Sequence, residues 1–385
     1  MAILRPLDLK MQPAPYDARM KVISRTLELL DKYKPQKTDS KTTAVHWEYE
    51  VARHSASKQS YIFNASLLLR DIVRYKGNLN KSGKYESPKV QISKESVLAK
   101  LKELLLDEKQ LKEGGYILGP GVGGENNASS KSDNGLRECA RCSQKFEELN
   151  IMVPTSCQFH PSRQQYNKGT RSYHYPCCGE DGVSVTPYSL GCKTLEQHVY
   201  RQETYEDMSK TIEFRHTKDF VGDSNVLGLD CEMAYTSYGY ELIRLTVVDF
   251  WTKKALFDEI VQPLGEIIDL NSQFSGVHEI DRATSLTFED ARKIFLGPKM
   301  INTNSILIGH GLENDLNILR IIHDKIIDTA ILYPNGKFKS SLKNLAFQEL
   351  SRKIQTGEHD SSEDAIASMD IIKSKLGIPL DRDIW

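Results

Sequence analysis

The chain has little of what would commit it to a membrane, a secretory compartment or a purely electrostatic grip on nucleic acid. No apolar run approaches the ~20 residues that a membrane helix needs. The opening segment, MAILRPLDLKMQPAPYDARM, lacks the apolar core and small-residue cleavage site of a secretory signal. No membrane association and a reducing, intracellular location are therefore expected. In such a location the seven cysteines read as metal ligands or buried thiols rather than disulfides. Neither sign of charge is in excess, with 51 Lys and Arg against 52 Asp and Glu. That balance excludes a protein that coats nucleic acid by charge alone. It leaves room for an enzyme that holds a few phosphates and otherwise needs acidic metal ligands.

What is present divides into four textures. At roughly 100–200 residues per domain, 385 residues favour two or three domains. Residues 1–118 read as an all-α N-terminal domain. The stretches MKVISRTLELLDKY, SYIFNASLLLRDIVRYK and KESVLAKLKELLLDEKQ space apolar residues by three and four, with polar breaks at KPQKTDSKTT and KGNLNKSGKYESP. Tyr61 and Phe63 fall in its expected core. Residues 119–135, around GPGVGGENNASSKSDNG, read as a flexible linker. The glycines there lack the Lys-Ser/Thr of a phosphate-binding loop.

Residues 136–200 hold six of the seven cysteines and too few apolar residues to form a core by burial alone. After a connector at 201–221, residues 222–385 alternate strands and helices. VLGLDCEM, IRLTVVDF, KALFDEIVQ and SILIGH read as strands, and LTFEDARKIF, GLENDLNILRIIH, SSLKNLAFQEL and SSEDAIASMDIIKSKL as helices. The expected fold is α/β, a mixed sheet flanked by helices.

Several acids fall at places where chemistry is usually done. Asp230 and Glu232 lie two apart near the end of an apolar strand, so alternation puts both on one face. Two carboxylates that close repel unless a cation lies between them, and oxygen ligands suit Mg²⁺ or Mn²⁺. Asp315 follows a strand running into a helix, beside the apolar stripe Leu312, Leu316 and Leu319. Asp364 sits in the first turn of a helix that Asp360 or Ser361 can cap, with His359 just before it. Taken singly, a strand end, a solvated helix face and helix-start chemistry account for these acids. They do not account for the histidine, whose neutral ring can take a proton near pH 7.

The Cys/His segment offers eight ligand candidates: Cys139, Cys142, Cys157, His160, Cys177, Cys178, Cys192 and His198, with His174 as a spare. Eight ligands suffice for two tetrahedral Zn²⁺ sites, whose pairing the sequence leaves open. Cys231, inside the acid-bearing strand, reads as packing. Arg137, Arg141, Lys145, Arg163, Lys168 and Arg171 suit phosphates, and Tyr166, Tyr173 and Tyr175 can stack on bases or simply pack.

Together DCEM, GHGLENDL and HDSSEDA resemble the three motifs of the DEDD exonuclease superfamily, over about 150 residues. The His-x4-Asp spacing from His359 to Asp364 resembles its histidine branch. LGLDCEM, GH-x-LENDL, DTA-x-LYP at Asp328–Pro334 and HDS-x-EDA are similar to eukaryotic RNA exonucleases, especially fungal ones. The resemblance extends to the Cys/His segment and to SKQSYIFNASLLLRDI.

The resemblance implies an RNase H-like exonuclease domain preceded by the Cys/His module and the helical domain. It implies a 3′→5′ exoribonuclease that releases nucleoside 5′-monophosphates. Asp230, Glu232, Asp315 and Asp364 would hold two Mg²⁺ or Mn²⁺ ions, with His359 as general base and Met233 packed on the terminal nucleotide. Two structural Zn²⁺ ions are expected in the module. RNA 3′ ends are the expected partners, with protein partners through the helical or zinc module. The family points to 3′-end maturation of structured non-coding RNAs in the nucleus, with the cytoplasm as a second location.

Overall fold

In the computed structural model, residues 4–9, 12–33, 40–77, 79, 93–121, 135–179, 191–336, 338–355, 360–378 and 380 are described. Three helices, α1 (Tyr16–Tyr33), α2 (Ser40–Arg53) and α3 (Lys58–Arg74), close one apolar core around Ile23, Leu30, Trp47, Leu68 and Ile72. Helix α2 starts inside the polar stretch expected to be a break. Its face carries Glu48 and Glu50 among Ala44, Trp47 and Val51, which interrupts the apolar stripe in the sequence. Glu48 is buried because Arg19 donates to both its oxygens, at 2.7 and 2.8 Å, and Tyr61 Oη donates at 2.8 Å. Tyr61 is core as expected, whereas Phe63 points outward and is exposed.

The next stretch forms two helices, α4 (Lys94–Lys102) and α5 (Glu108–Gly114), where one was expected. Asp107 caps the second by accepting from the Gln110 amide at 2.8 Å. These two helices pack elsewhere than α1–α3. Val97 and Leu101 join one face of the large sheet, and Leu106, Leu111 and Tyr116 the other.

Most of the expected linker, and His359, lie outside the described residues. The Cys/His segment is built from short hairpins. Strands β1 (Leu136–Glu138) and β2 (Lys145–Glu147) pair, β3 (Cys157–Phe159) pairs with β6 (Lys193–Leu195), and β4 (Gln165–Asn167) pairs with β5 (Ser172–His174). A short helix, α6 (Tyr205–Ser209), and strand β7 (Arg215–His216) lead into the last part.

The seven-stranded sheet has β8 (Val226–Thr236), β9 (Gly239–Asp249) and β10 (Ala255–Gln262) antiparallel at its centre. β11 (Ile267–Asp269) pairs with β8, followed by α7 (Ser272–Ser275). β12 (Leu286–Thr287) runs parallel to β10 and leads into α8 (Phe288–Phe295). β13 (Ile306–Gly309) and β15 (Ile326–Asp328) extend the sheet in parallel from β8.

Helices cover both faces. Helix α9 (Leu312–Leu319) covers one, and α10 (Thr329–Leu332), α11 (Leu342–Leu350) and α12 (Ser361–Lys375) follow along the chain. Helix α12 packs on β8, β9 and β13. This is the mixed sheet with flanking helices that the sequence implied. Helix α9 stops short of the expected GLENDLNILRIIH. Arg320 takes a left-handed φ of 54°, and Ile321–Ile322 become strand β14, paired with β7. No described helix is long and apolar enough to cross a membrane.

Candidate active site and Cys/His clusters

Alternation along β8 decides which side chains meet which helices. Leu227, Leu229 and Cys231 enter the core on the α9 side. Val226 and Gly228 face α12, and Asp230 and Glu232 continue that row toward the strand's far end. Gly228 has a packing reason. A Cβ there would lie 2.7 Å from Met369 Sδ of α12, so glycine lets the helix close on the strand. That closure brings Asp364, in the first turn of α12, to the two strand acids. Asp315 comes from the other side and accepts from the Cys231 amide at 2.9 Å.

The structure thus gathers Asp230, Glu232, Asp315 and Asp364 around the middle of β8, and it buries Glu232, Asp315 and Asp364. Burial, then the charges of Asp315, Asp364 and Glu232, pushes Asp230 well above the usual carboxylate range. Burial and the neighbouring Asp364 push Glu232 to about 8. Burial foremost raises Asp315 and Asp364 to about 7 each. Glu232 Oε1 is buried with no hydrogen-bond partner. Buried carboxylates, two of which are pushed up by the charges of the others and one of whose oxygens is unsatisfied, fit divalent cations, which would supply the missing positive charge. The acids are spread more widely than the two Cys/His sets described below, whose ligand atoms lie within 4.8 Å of one another.

Several residues that build this site carried no motif. Gln355 Nε2 donates to Asp364 Oδ2 at 2.8 Å. Arg244, opposite Glu232 across the β8–β9 pair, lowers the pKa of both strand acids and is held by Asp258 at 2.9 and 3.1 Å. Thr246 donates to Ser361 Oγ at 3.0 Å, tying the start of α12 to β9. Asp328 is fully buried and organises the start of α9. It accepts from the Gly311, Leu312 and Ala330 amides and, at 2.7 Å, from Tyr116 Oη. Asp328 stood in the quoted DTA-x-LYP segment, but nothing there indicated this role. Met233 is half-buried against the α9-side core, beside a bulge that follows Glu232.

All eight cysteine and histidine candidates fall into two sets of four. Cys139, Cys142, Cys157 and His198 form the first, and His160, Cys177, Cys178 and Cys192 the second. The second set is nested along the chain between Cys157 and His198 of the first, which is why spacing alone left the pairing open. Cys139 and Cys157 Sγ are 3.7 Å apart, and Cys192 and Cys177 Sγ 3.5 Å. A disulfide would require about 2.05 Å. Sulfurs bound at ~2.3 Å to a tetrahedral zinc would sit roughly 3.8 Å apart, so both sets fit that ion. Gly191 has a φ of +94°, and a Cβ there would meet the Phe159 backbone at 2.3 Å, so glycine is required beside Cys192. His174 joins neither set. Cys231 is buried in the sheet core, as expected.

The first set is docked on β8. Cys139, Cys157, Phe159 and Val199 pack with Tyr235 of β8. Arg141, between two of the ligands, pairs with Asp269 and lies over the Phe159 and Tyr235 rings at 5.0 and 4.8 Å. Arg137 is likewise held, by Asp207 and Glu148. These two arginines, expected among the phosphate contacts, are committed to internal pairs.

Four acids converging at the middle of a central strand in a mixed sheet, behind a Cys/His module, define a protein of the DEDD exonuclease class. A model described as the REX3 N-terminal domain matches residues 4–108, and one described as the RNA exonuclease 3 middle domain matches residues 137–189. RNA exonuclease 3 of Eremothecium gossypii is 66% identical over 385 residues, covering 100% of both chains. RNA exonuclease 3 of Saccharomyces cerevisiae is 48% identical over 405 residues, covering 100% of this chain and 99% of the relative. The chain belongs to the RNA exonuclease 3 family. Among solved structures, the Neurospora crassa Pan2 catalytic unit (protease and nuclease domain) is similar at 19% identity with a TM-score of 0.37, covering 60% of this chain and 43% of that one.

Proposed function

We propose that the chain is a 3′→5′ exoribonuclease that hydrolyses the terminal phosphodiester bond and releases nucleoside 5′-monophosphates. The observation that carries this reading is the group of acids gathered at the middle of β8, each raised in pKa by burial and by neighbouring carboxylates. Asp230, Glu232 and Asp364 would hold one Mg²⁺ or Mn²⁺, and Asp230 with Asp315 a second. Bound there, the ions supply charge neutralisation, water activation and stabilisation of the leaving oxygen.

The chain's own groups do the rest. Gln355 orients Asp364 through the 2.8 Å hydrogen bond. Asp328 and Tyr116 fix the helix that presents Asp315. His359, one residue before the cap of α12, accepts the proton of the attacking water. Met233 packs against the terminal nucleotide. The two Cys/His sets hold structural Zn²⁺. The biological role that follows from the family is trimming the 3′ ends of structured non-coding RNAs in the nucleus, with the cytoplasm as a second site of action. Protein partners would meet the chain through the helical or Cys/His module.

The test is digestion of 5′-labelled single-stranded RNA with Mg²⁺ or Mn²⁺, with and without a blocked 3′ end, beside matched DNA. A ladder shortening from a free 3′ end, with mononucleotide products, is expected on RNA. Internal cuts, or cleavage indifferent to the 3′ block, would refute it. His359→Ala should lower the rate roughly 10²–10⁴-fold.

A further inference from the structure

The β4–β5 hairpin takes no part in the acid site or in either ligand set, and it is built in an unusual way. Tyr166 and Tyr173 face each other directly across it. Their rings are 5.2 Å apart and tilted by 60°, and each is more than half exposed, at 52% and 53%. Among the described residues neither ring belongs to an apolar core cluster, and Gln165, Tyr166, Asn167 and Tyr173 are all exposed. The hairpin is held at its base by the second Cys/His set. His160 leads into it, Tyr175 stacks on His160 at 3.7 Å and 8°, and Cys177 and Cys178 follow. Its tip is ordered by Asn167, whose Oδ1 accepts from the Gly169 amide at 2.8 Å.

From Leu149 to Gly179 the chain has no acidic residue and three basic ones, Arg163, Lys168 and Arg171. In a chain of net charge −1, that is a local concentration of one sign around two open aromatic faces. Aromatic rings beside cations suit single-stranded nucleic acid, because every base has a face to stack on and every nucleotide a phosphate. The hairpin also keeps a fixed relation to the acids. The second set shares the β3–β6 pair with the first, which is docked on β8 through Tyr235 and Arg141.

We propose that Tyr166 and Tyr173, with Lys168 and Arg171, form a stacking platform for single-stranded RNA upstream of the 3′ end being trimmed. This rests on the exoribonuclease reading for its ligand class, but its test is a binding measurement. Affinity for a 5′-fluorescein 20-nucleotide single-stranded RNA is measured by anisotropy in an Asp315→Asn background, which prevents cleavage. Adding Tyr166→Ala and Tyr173→Ala should weaken binding at least ~5-fold, since stacking is worth about 1–3 kcal/mol per base. The corresponding Phe pair should bind like the parent. Lys168→Ala with Arg171→Ala should lower the salt slope by about 1.4, at ~0.7 per phosphate contact on a single strand.

In the otherwise wild-type enzyme, the tyrosine-to-alanine pair should leave kcat/KM on a trinucleotide unchanged. Unaltered 20-mer affinity in the alanine pair would overturn the proposal, as would an equal loss on the trinucleotide. A wild-type chain that does not degrade the trinucleotide, while its Asp315→Asn form still binds the 20-mer through the tyrosines, would sink the exonuclease reading alone.

Discussion

Replacing Asp315 by Asn should make the protein inactive and, without divalent ions at alkaline pH, more stable. Glu232, Asp315 and Asp364 hold their protons more tightly folded than unfolded, at about 8, 7 and 7 against 4.5, 3.8 and 3.8. A raised carboxyl pKa means that folding retains protons, so stability falls as pH rises from about 4 to about 8. For Asp315 the rise is about three units, which at 1.36 kcal/mol per unit sets a ceiling of roughly 4 kcal/mol at pH 8. Relaxation of the site and water entry reduce this, so a gain of about 1–3 kcal/mol is expected for Asp315→Asn. The Asn oxygen can still accept from the Cys231 amide, so little is lost in exchange.

The assay is thermal unfolding from pH 5 to pH 8 after dialysis into Mg²⁺-free buffer without chelator, which leaves the Cys/His sets undisturbed. The variant's advantage should be small near pH 5, grow to several degrees at pH 8, and shrink on adding Mn²⁺. A variant less stable than the parent at pH 8, or with the same pH dependence, would refute the claim that burial without a cation holds the Asp315 carboxyl above its usual range.

Gln355→Ala should leave the fold intact and raise the Mg²⁺ concentration needed for half-maximal activity by roughly 10–100-fold, read from metal titrations of kcat. Tyr116→Phe removes a buried hydrogen bond to a carboxylate and should cost about 1.5–3 kcal/mol in denaturant unfolding. Gly228→Ala drives a methyl into Met369 and should cost about 1–3 kcal/mol, with activity falling as α12 is pushed from β8. Cys157→Ser should lower the main melting transition, because its set is buried against β8. Cys192→Ser, in the exposed set, should leave that transition in place while weakening RNA binding.

The acids were picked out together by their resemblance to the DEDD motifs, while strand alternation and helix starts, which are local rules, placed each of them on its element. Asp230 and Glu232 share a face by period two alone, and Asp364 follows its cap by a fixed offset. Elements that depend on tertiary partners were less legible. Helix α2 was hidden because its buried face includes Glu48, whose partner Arg19 lies on another helix. The end of α9 was misplaced because Arg320 turns left-handed, freeing Ile321 and Ile322 to pair with β7. The long third helical run contains a break because Asp107 caps a new helix at its centre, and both halves follow the large sheet rather than α1–α3.

The same limit applies to the site. Gln355, Arg244, Thr246 and Asp328 acquire roles only from what the fold sets beside them. Phe63 satisfied helical spacing yet faces outward, since three-residue and four-residue steps place a side chain only to within a fraction of a turn.

The central claim is that the acids at the middle of β8 gather divalent ions. Anomalous diffraction from Mn²⁺-soaked crystals of the whole chain tests it directly. The account predicts Mn²⁺ density within ~2.2 Å of carboxylate oxygens of Asp230 and Asp364, reduced or lost in Asp230→Asn crystals. Density confined to surface acids, with none touching Asp230 at saturating Mn²⁺, would contradict it.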